Sequence, residues 1–237
     1  MESPQQKLIA LEKKNVKTML LNRKFTENEI KFKSFSLEEN NNMVDNKKLQ
    51  IHWLYLCLCK KPISAEMGYV NTLVIRISNE RVRYVNKLIT NKIFKYIAKN
   101  TSTIYKLNEL EQSFNSINSN IILITEKQFI NKKTILFKYH FPDSSNSNTY
   151  VRLFPAEHIR FNILEHSLVP KIQVLSKEEI QTLCDYYKSP KFINKLPIMN
   201  IHDPISRYLG GRDGTVYKIT YKSDNTISYR VVRNIFQ

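Results

Sequence analysis

Glu126 and Lys127 follow directly on the apolar run Ile121–Ile124. A carboxylate beside a lysine at a strand end is the raw material of a metal-dependent nuclease, which needs clustered carboxylates to hold Mg²⁺ next to a phosphate. Such sites space the pair as Glu-x-Lys, because strand alternation puts residues two apart on one face and adjacent residues on opposite faces. Asp45, Glu66 and Glu80 could serve as upstream partners, and nothing singles one out. The five histidines, His52, His140, His158, His166 and His202, are scattered. His202-Asp203 has the residue types of a catalytic dyad, but Asp203 precedes a proline and is better used as a helix cap. Cys57, Cys59 and Cys184 are too few for an even disulfide framework, which points to a reducing compartment. Cys57-Leu58-Cys59 lacks a second ligand pair at zinc spacing. Gly210-Gly211-Arg212-Asp213-Gly214 is glycine-rich without the Gly-Lys-Ser/Thr ending of a phosphate-binding loop, and neither a nucleophile elbow nor His-Glu-x-x-His is present. No catalytic residue, no metal and no cofactor is expected from these residues.

Charge says more than any single motif. The 237 residues hold 37 Lys and Arg against 21 Asp and Glu, a formal net charge of +16. An excess of this size suits a polyanionic partner, since basic side chains release condensed counterions from nucleic acid; a Lys/Asn/Ile-rich composition of the kind an AT-rich genome encodes is the competing explanation. The excess is uneven. Residues 1–154 carry 25 basic and 13 acidic side chains, a net of +12, and residues 155–237 carry 12 and 8, a net of +4. The longest apolar run, Trp53 to Cys59, is far short of the roughly 20 residues a membrane span needs. The opening Met1-Glu2-Ser3-Pro4-Gln5-Gln6 has neither a basic n-region nor an apolar h-region, so no signal peptide is expected.

The elements that would position these residues are mixed. Val16, Met19, Leu20 and Arg23 sit at helix spacing, with Phe25 after them, and Thr26-Glu27-Asn28-Glu29 has the threonine cap and acidic first turn of a second helix start. Glu38 to Asn46 is a polar loop. Trp53–Cys59, Leu73–Ile77 and Ile121–Ile124 have the length of buried strands, while Ile135, Phe137, Tyr139 and Phe141 alternate as a half-buried one would. Val82, Val85, Ile89, Ile93, Tyr96 and Ile97 make the apolar stripe of an amphipathic helix whose other surface carries Arg81, Arg83, Lys87, Lys92, Lys95 and Lys99. After the loop-like stretch Pro142–Asn148, a domain boundary is expected between residues 154 and 155.

The second domain is specified locally. Ser176-Lys177-Glu178-Glu179 is a capping box, followed by Ile180, Leu183, Cys184 and Tyr187 on one helix face. Asp203-Pro204 starts a short helix that Gly210 ends. Thr215–Tyr221 and Ile227–Val232 are two strands joined by Ser223-Asp224-Asn225-Thr226. Three of the chain's four glycines fall at 210, 211 and 214, which calls for unusual torsions or close backbone approach there. A C-cap leading into a tight turn, or a turn pressed on a partner surface, would each account for them.

Taken in order, His166-Ser167-Leu168-Val169-Pro170-Lys171, the Ser176–Tyr187 helix and His202-Asp203-Pro204-Ile205-Ser206-Arg207-Tyr208-Leu209-Gly210 resemble the fifth-largest subunit shared by eukaryotic nuclear RNA polymerases, whose C-terminal half corresponds to a small subunit of the archaeal polymerase. The family pattern then runs through a basic glycine turn to a hairpin ending Tyr-Arg, here Tyr229-Arg230. Val16–Leu20 with Asn22-Arg23-Lys24-Phe25 is similar to the family's opening helix, with Lys24 in place of a glycine. Two departures stand out: Asp213 puts an acid into the basic turn, and the hairpin tip lacks the usual Gly-Arg-Tyr insertion. Together with the Lys/Asn/Ile bias, they suggest a version from a large DNA virus.

The resemblance implies an α+β protein and a non-catalytic polymerase subunit. Residues 1–154 would be a mixed α/β jaw-like domain, similar to a restriction nuclease without its active site and lying near downstream duplex DNA, which it would touch independently of sequence. Residues 155–237 would be a small α+β assembly domain with a hairpin, docking on the largest polymerase subunit beside the other subunits. The assembly residues it implies are His166, Val169, Pro170, Asp203, Pro204, Arg207, Tyr208, Gly210, Gly211, Arg212, Gly214, Tyr229 and Arg230. Arg81, Arg83, Lys87, Lys92 and Lys95 would be the DNA-proximal set. The protein would work in the nucleus or, if viral, in a cytoplasmic virus factory and the virion. A free-standing basic nucleic-acid-binding protein and a metal-dependent nuclease are the alternatives.

Overall fold

The computed structural model describes residues 3–34, 50–58, 71–78, 120–126, 136–139 and 149–235. They form an α+β protein of two compact units, the chain passing from the first to the second between Phe161 and Asn162. That passage lies slightly beyond the 154/155 boundary read from the sequence, because Ala156 and Ile159 are buried and belong to the first unit.

The first unit opens with helix α1 (Pro4–Asn22), which starts well before the apolar stripe seen in the sequence. Ser3 caps it: its Oγ accepts from Gln6 N at 3.2 Å, and Gln6 Oε1 accepts from Ser3 N at 2.7 Å. Val16, Met19 and Leu20 are fully buried. After the C-cap at Arg23, Lys24 takes a left-handed φ of 67° where glycine is the usual choice.

The second helix start expected at Thr26 is a turn instead. Thr26 N and Oγ1 both donate to Glu29 Oε2 at 2.8 Å, so the cap-like pair closes a loop of its own. The chain then leaves as strand β1 (Ile30–Ser34), drawn into register with a neighbouring strand through Phe32 opposite Tyr55. Tertiary pairing overrides a local helix signal here.

β1 joins β2 (Gln50–Leu58), β3 (Asn71–Ser78), β4 (Asn120–Thr125), β5 (Leu136–Tyr139) and β6 (Thr149–Pro155) in one sheet of order β1-β2-β3-β4-β6-β5. The three central strands, β3, β4 and β6, run parallel, and the outer pairings are antiparallel. Parallel strands are covered on both faces and so read as unbroken apolar runs, which is why all six residues of β4 are buried. The register of β2 slips between Ile51 and Trp53, at His52. A short helix, α2 (Ala156–Ile159), follows β6, and Asn15 Nδ2 ties α1 to it by donating to the Ile159 carbonyl at 2.9 Å. The polar loop read over 38–46, the basic helix read over 82–97 and the loop at 142–148 lie outside the described residues.

The second unit is a four-stranded sheet built from β7 (Lys171–Val174), β8 (Ile198–Asn200), β9 (Val216–Thr220) and β10 (Ile227–Arg233), in the order β7-β9-β10-β8. β9 and β10 are the expected hairpin, and Asn225 supplies a φ of 57° at its tip. The two outer strands were not legible in the sequence. Strands of four and three residues are too short to show a period, and β8 gains its partner only by lying parallel to β10.

Helix α3 (Lys177–Tyr186) has the expected capping box: Ser176 Oγ accepts from Glu179 N, and Glu179 Oε2 accepts from Ser176 N at 2.7 Å. Helix α4 (Pro204–Leu209) begins at Asp203, whose Oδ1 accepts from Ile205 N at 2.9 Å and Ser206 N at 3.3 Å, and ends at Gly210 with φ 80°. Leu175, Leu196, Val216 and Val231 form a core against which Ile180, Leu183 and Phe192 pack.

Candidate functional site

Glu126, the nuclease candidate, is already engaged. Arg76 on β3 directs Nη2 at Glu126 Oε1 and Nε at Glu12 Oε2, the latter at 2.9 Å. Arg160, just after α2, repeats the arrangement, with Nε 3.0 Å from Glu12 Oε1 and Nη2 3.4 Å from Glu126 Oε1. Two guanidiniums therefore neutralise two carboxylates, and the Glu12 side chain is only 1% exposed. A divalent cation needs carboxylate oxygens facing one point with room for its other ligands. Here both oxygens of Glu12 and one of Glu126 face arginine instead. Among the described residues no three His, Cys, Asp or Glu side chains come together as metal ligands.

His52, at the β2 irregularity, lies in the field of this cluster. Burial and the Arg76 charge hold its imidazole below the ordinary 6.5, against the opposing pull of Glu12 and Glu126. Asp45, Glu66, Glu80 and Lys127 lie outside the described residues, as do Arg81, Arg83, Lys87, Lys92 and Lys95. Sequence reading missed Glu12 as a member of the cluster. A glutamate on the same helix face as Val16 and Met19 was the available signal.

In the second unit the implied assembly residues fall into layers. His166 is exposed at the end of a 3-10 turn (Ile163–Glu165), its Nδ1 accepting from Leu168 N at 3.3 Å. Val169 and Pro170 are half-buried on the way into β7, and Leu168 between them and His166 is 86% exposed. Asp203 and Pro204 are spent on starting α4. Arg207 and Tyr208 on α4 are buried, as are Gly210, Gly211 and Arg212 in the turn that follows. Tyr229 and Arg230 are half-buried on β10, and Gly214, with φ 86°, is exposed.

Gly210 and Gly214 meet the need for left-handed torsions, as a C-cap and tight turn require. Gly211 answers a different need. A Cβ there would strike Tyr217 Oη and Ser206 Oγ and stand 3.2 Å from Val232 Cγ2. Asp213, the acid in the turn, is matched at short range: its Oδ2 accepts from Arg233 Nη1 at 3.2 Å, and its Oδ1 from Asn234 N at 3.3 Å. Arg233 Nη2 reaches Asn194 Oδ1 at 3.2 Å, so the turn is strapped to β10 and the segment before β8.

The comparisons with known proteins converge on this second unit. The family described as RNA polymerase Rpb5, C-terminal domain, matches residues 161–232. A protein of Archaeoglobus fulgidus, DNA-directed RNA polymerase subunit Rpo5, is 38% identical over 77 residues, which are 31% of this chain and 99% of the archaeal one. The chain belongs to the RNA polymerase Rpb5/Rpo5 family. A second Rpo5, from Methanosarcina acetivorans, is 34% identical over 64 residues, 27% of this chain and 80% of its own. The Arabidopsis thaliana protein DNA-directed RNA polymerases IV and V subunit 5B is 36% identical over 85 residues, 35% of this chain. This Rpb5-family chain spans 38% of that plant relative's length in the match. Family membership rests on the unit that begins at Asn162, and the helix-and-sheet unit before it lies almost wholly outside the family match.

Proposed function

We propose that this chain is a non-catalytic subunit of a multisubunit DNA-directed RNA polymerase. Its second unit docks on the largest subunit among the other polymerase subunits, and its first unit forms part of the jaw beside downstream duplex DNA. The observation that carries this reading is the match to nearly the whole of an archaeal Rpo5, 99% of its length at 38% identity. An assembly role fits a unit whose turn is internally braced by Gly211, Tyr217 and Arg233, since a preformed surface docks at less entropic cost than a loose one. The jaw role has the charge distribution in its favour: the net +12 of residues 1–154 suits sequence-independent contact with phosphates. Arg81, Arg83, Lys87, Lys92 and Lys95 remain the proposed DNA-facing set. The place of work follows the polymerase, in the nucleus for a cellular enzyme or the cytoplasmic factory and virion for a viral one.

The test is a native pull-down of the tagged protein with mass spectrometry of what survives a high-salt wash. Recovery of the two large polymerase subunits near stoichiometry is expected. Recovery of the chain alone, or with nucleic acid that salt removes, would overturn the subunit reading in favour of a free-standing binder. Mg²⁺-dependent DNA cleavage abolished by Glu126→Ala would instead revive the nuclease. Within an assembled complex, replacing the five basic residues by glutamine should weaken duplex binding and flatten its salt dependence without loss of assembly.

A further inference from the structure

Tyr186 closes α3 and Tyr187 caps it, and the segment that follows brings a third ring back against them. Tyr187 and Phe192 stack with centroids 4.0 Å apart and planes 8° from parallel, while Tyr186 meets Tyr187 edge-on at 5.0 Å. Phe192 packs on the core of the unit, so the stacked pair is a braced shelf. Tyr186 is nevertheless 78% exposed and Tyr187 47%. Lys188, Lys191 and Lys195 are exposed in the same stretch, which contains no acid from 186 to 196. Among the described residues no carboxylate pairs with these lysines, and the adjacent Asp185 accepts from Gln181 Nε2 at 2.8 Å. Lys188 holds a left-handed φ of 50° just past the helix end, where glycine would be less strained.

We propose that the Tyr186–Tyr187 rings with Lys188, Lys191 and Lys195 form a stacking site for single-stranded nucleic acid, bases lying on the tyrosines and phosphates on the lysines. Exposed aromatic rings and exposed lysines within one short segment suit a single strand, because every base presents a π-face and every linkage a charge. A duplex buries its base faces and has no use for the rings. An apolar protein surface would have to desolvate three lysines. This site is separate from the proposed jaw contacts, which lie on the first unit.

The experiment is fluorescence anisotropy on the full chain with labelled 12-nucleotide single strands, one DNA and one RNA, and the matching duplex, over a range of salt. Tyr186→Ala should weaken single-strand binding about tenfold, leave duplex binding unchanged and leave the unfolding transition where it is. Tyr186→Phe should bind like wild type. Exchanging the three lysines for glutamine should lower the salt slope by about 2, at roughly 0.7 per phosphate on a single strand. Whether RNA or DNA binds tighter identifies the source of the strand. Wild-type affinity in Tyr186→Ala or Tyr186→Leu would overturn the proposal, and so would an equal loss on duplex. If Tyr186→Ala instead sheds the large polymerase subunits in the pull-down with oligonucleotide affinity intact, the rings belong to a protein contact and the stacking site is wrong.

Discussion

Glu12 Oε2 and Arg76 Nε lie 2.9 Å apart although 64 residues separate them in the chain, and their side chains are 1% and 7% exposed. The pair joins the first helix to a central strand of the sheet. Burying two charges is costly, and it is sustained here because Arg160 and Glu126 satisfy the remaining lone pairs and protons. The cluster holds α1, β3, the end of β4 and the segment after α2 at one point.

Glu12→Ala should therefore destabilise the first unit by about 3 kcal/mol, since it leaves two guanidiniums facing a missing carboxylate. Glu126→Ala should cost under about 1 kcal/mol, because that carboxylate is 40% exposed and water can replace it. Denaturant unfolding followed by Trp53 fluorescence, which reports on this unit alone, checks both; equal losses would contradict the burial argument.

His52 makes the same unit sensitive to acid. Its folded pKa lies below the unfolded 6.5, through burial first and then the Arg76 charge. As pH falls below 6.5 the unfolded chain binds a proton that the folded protein resists, so stability drops; above 6.5 the contribution is complete. Unfolding curves from pH 5 to 7.5 should show this slope, and His52→Gln should flatten it. The charged groups acting on His52 are the carboxylates Glu12 and Glu126, which raise its pKa, and the cations Arg76 and Lys13, which lower it.

Asp203→Ala removes the acceptor for Ile205 N and Ser206 N and should cost about 1 kcal/mol. Asp203→Asn should recover most of it, because an amide oxygen still caps. Hydrogen exchange at the Ile205 and Ser206 amides, alongside thermal unfolding of the whole chain, decides between them.

Gly211→Ala should be more damaging than its small size suggests, at about 1–3 kcal/mol, because the new methyl meets Tyr217 Oη and Ser206 Oγ. Tyr217→Phe combined with it should be less unstable than the sum of the two single changes, since removing the hydroxyl relieves the clash. Gly210→Ala offers the contrast: its penalty is the left-handed φ of 80°, which no neighbour deletion can rescue. Strict additivity in the Gly211–Tyr217 pair would refute the close-packing explanation.

Features that a few consecutive residues can decide are legible in the chain before it folds. The capping box at Ser176, the Asp203-Pro204 start, the Gly210 stop and the β9–β10 hairpin are all of this kind, because each closes hydrogen bonds within four residues or by a tight turn. The buried strands β3 and β4 are readable for a related reason: a run covered on both faces is mostly apolar, whereas the equally central β6, with Arg152 buried in its middle, shows no such run. Other features arise only when distant segments meet. Thr26 and Glu29 carry a helix signal, yet pairing with β2 sends the chain into a strand. β8 is too short to announce itself and exists through β10. Gly211 looks like its neighbouring glycines, but its constraint is the Tyr217 hydroxyl. Glu126 has the look of a metal ligand until Arg76 and Arg160, from distant positions in the chain, fold onto it. Local bonds declare themselves in adjacent residue types, whereas a long-range contact leaves each partner with a residue that has several other uses.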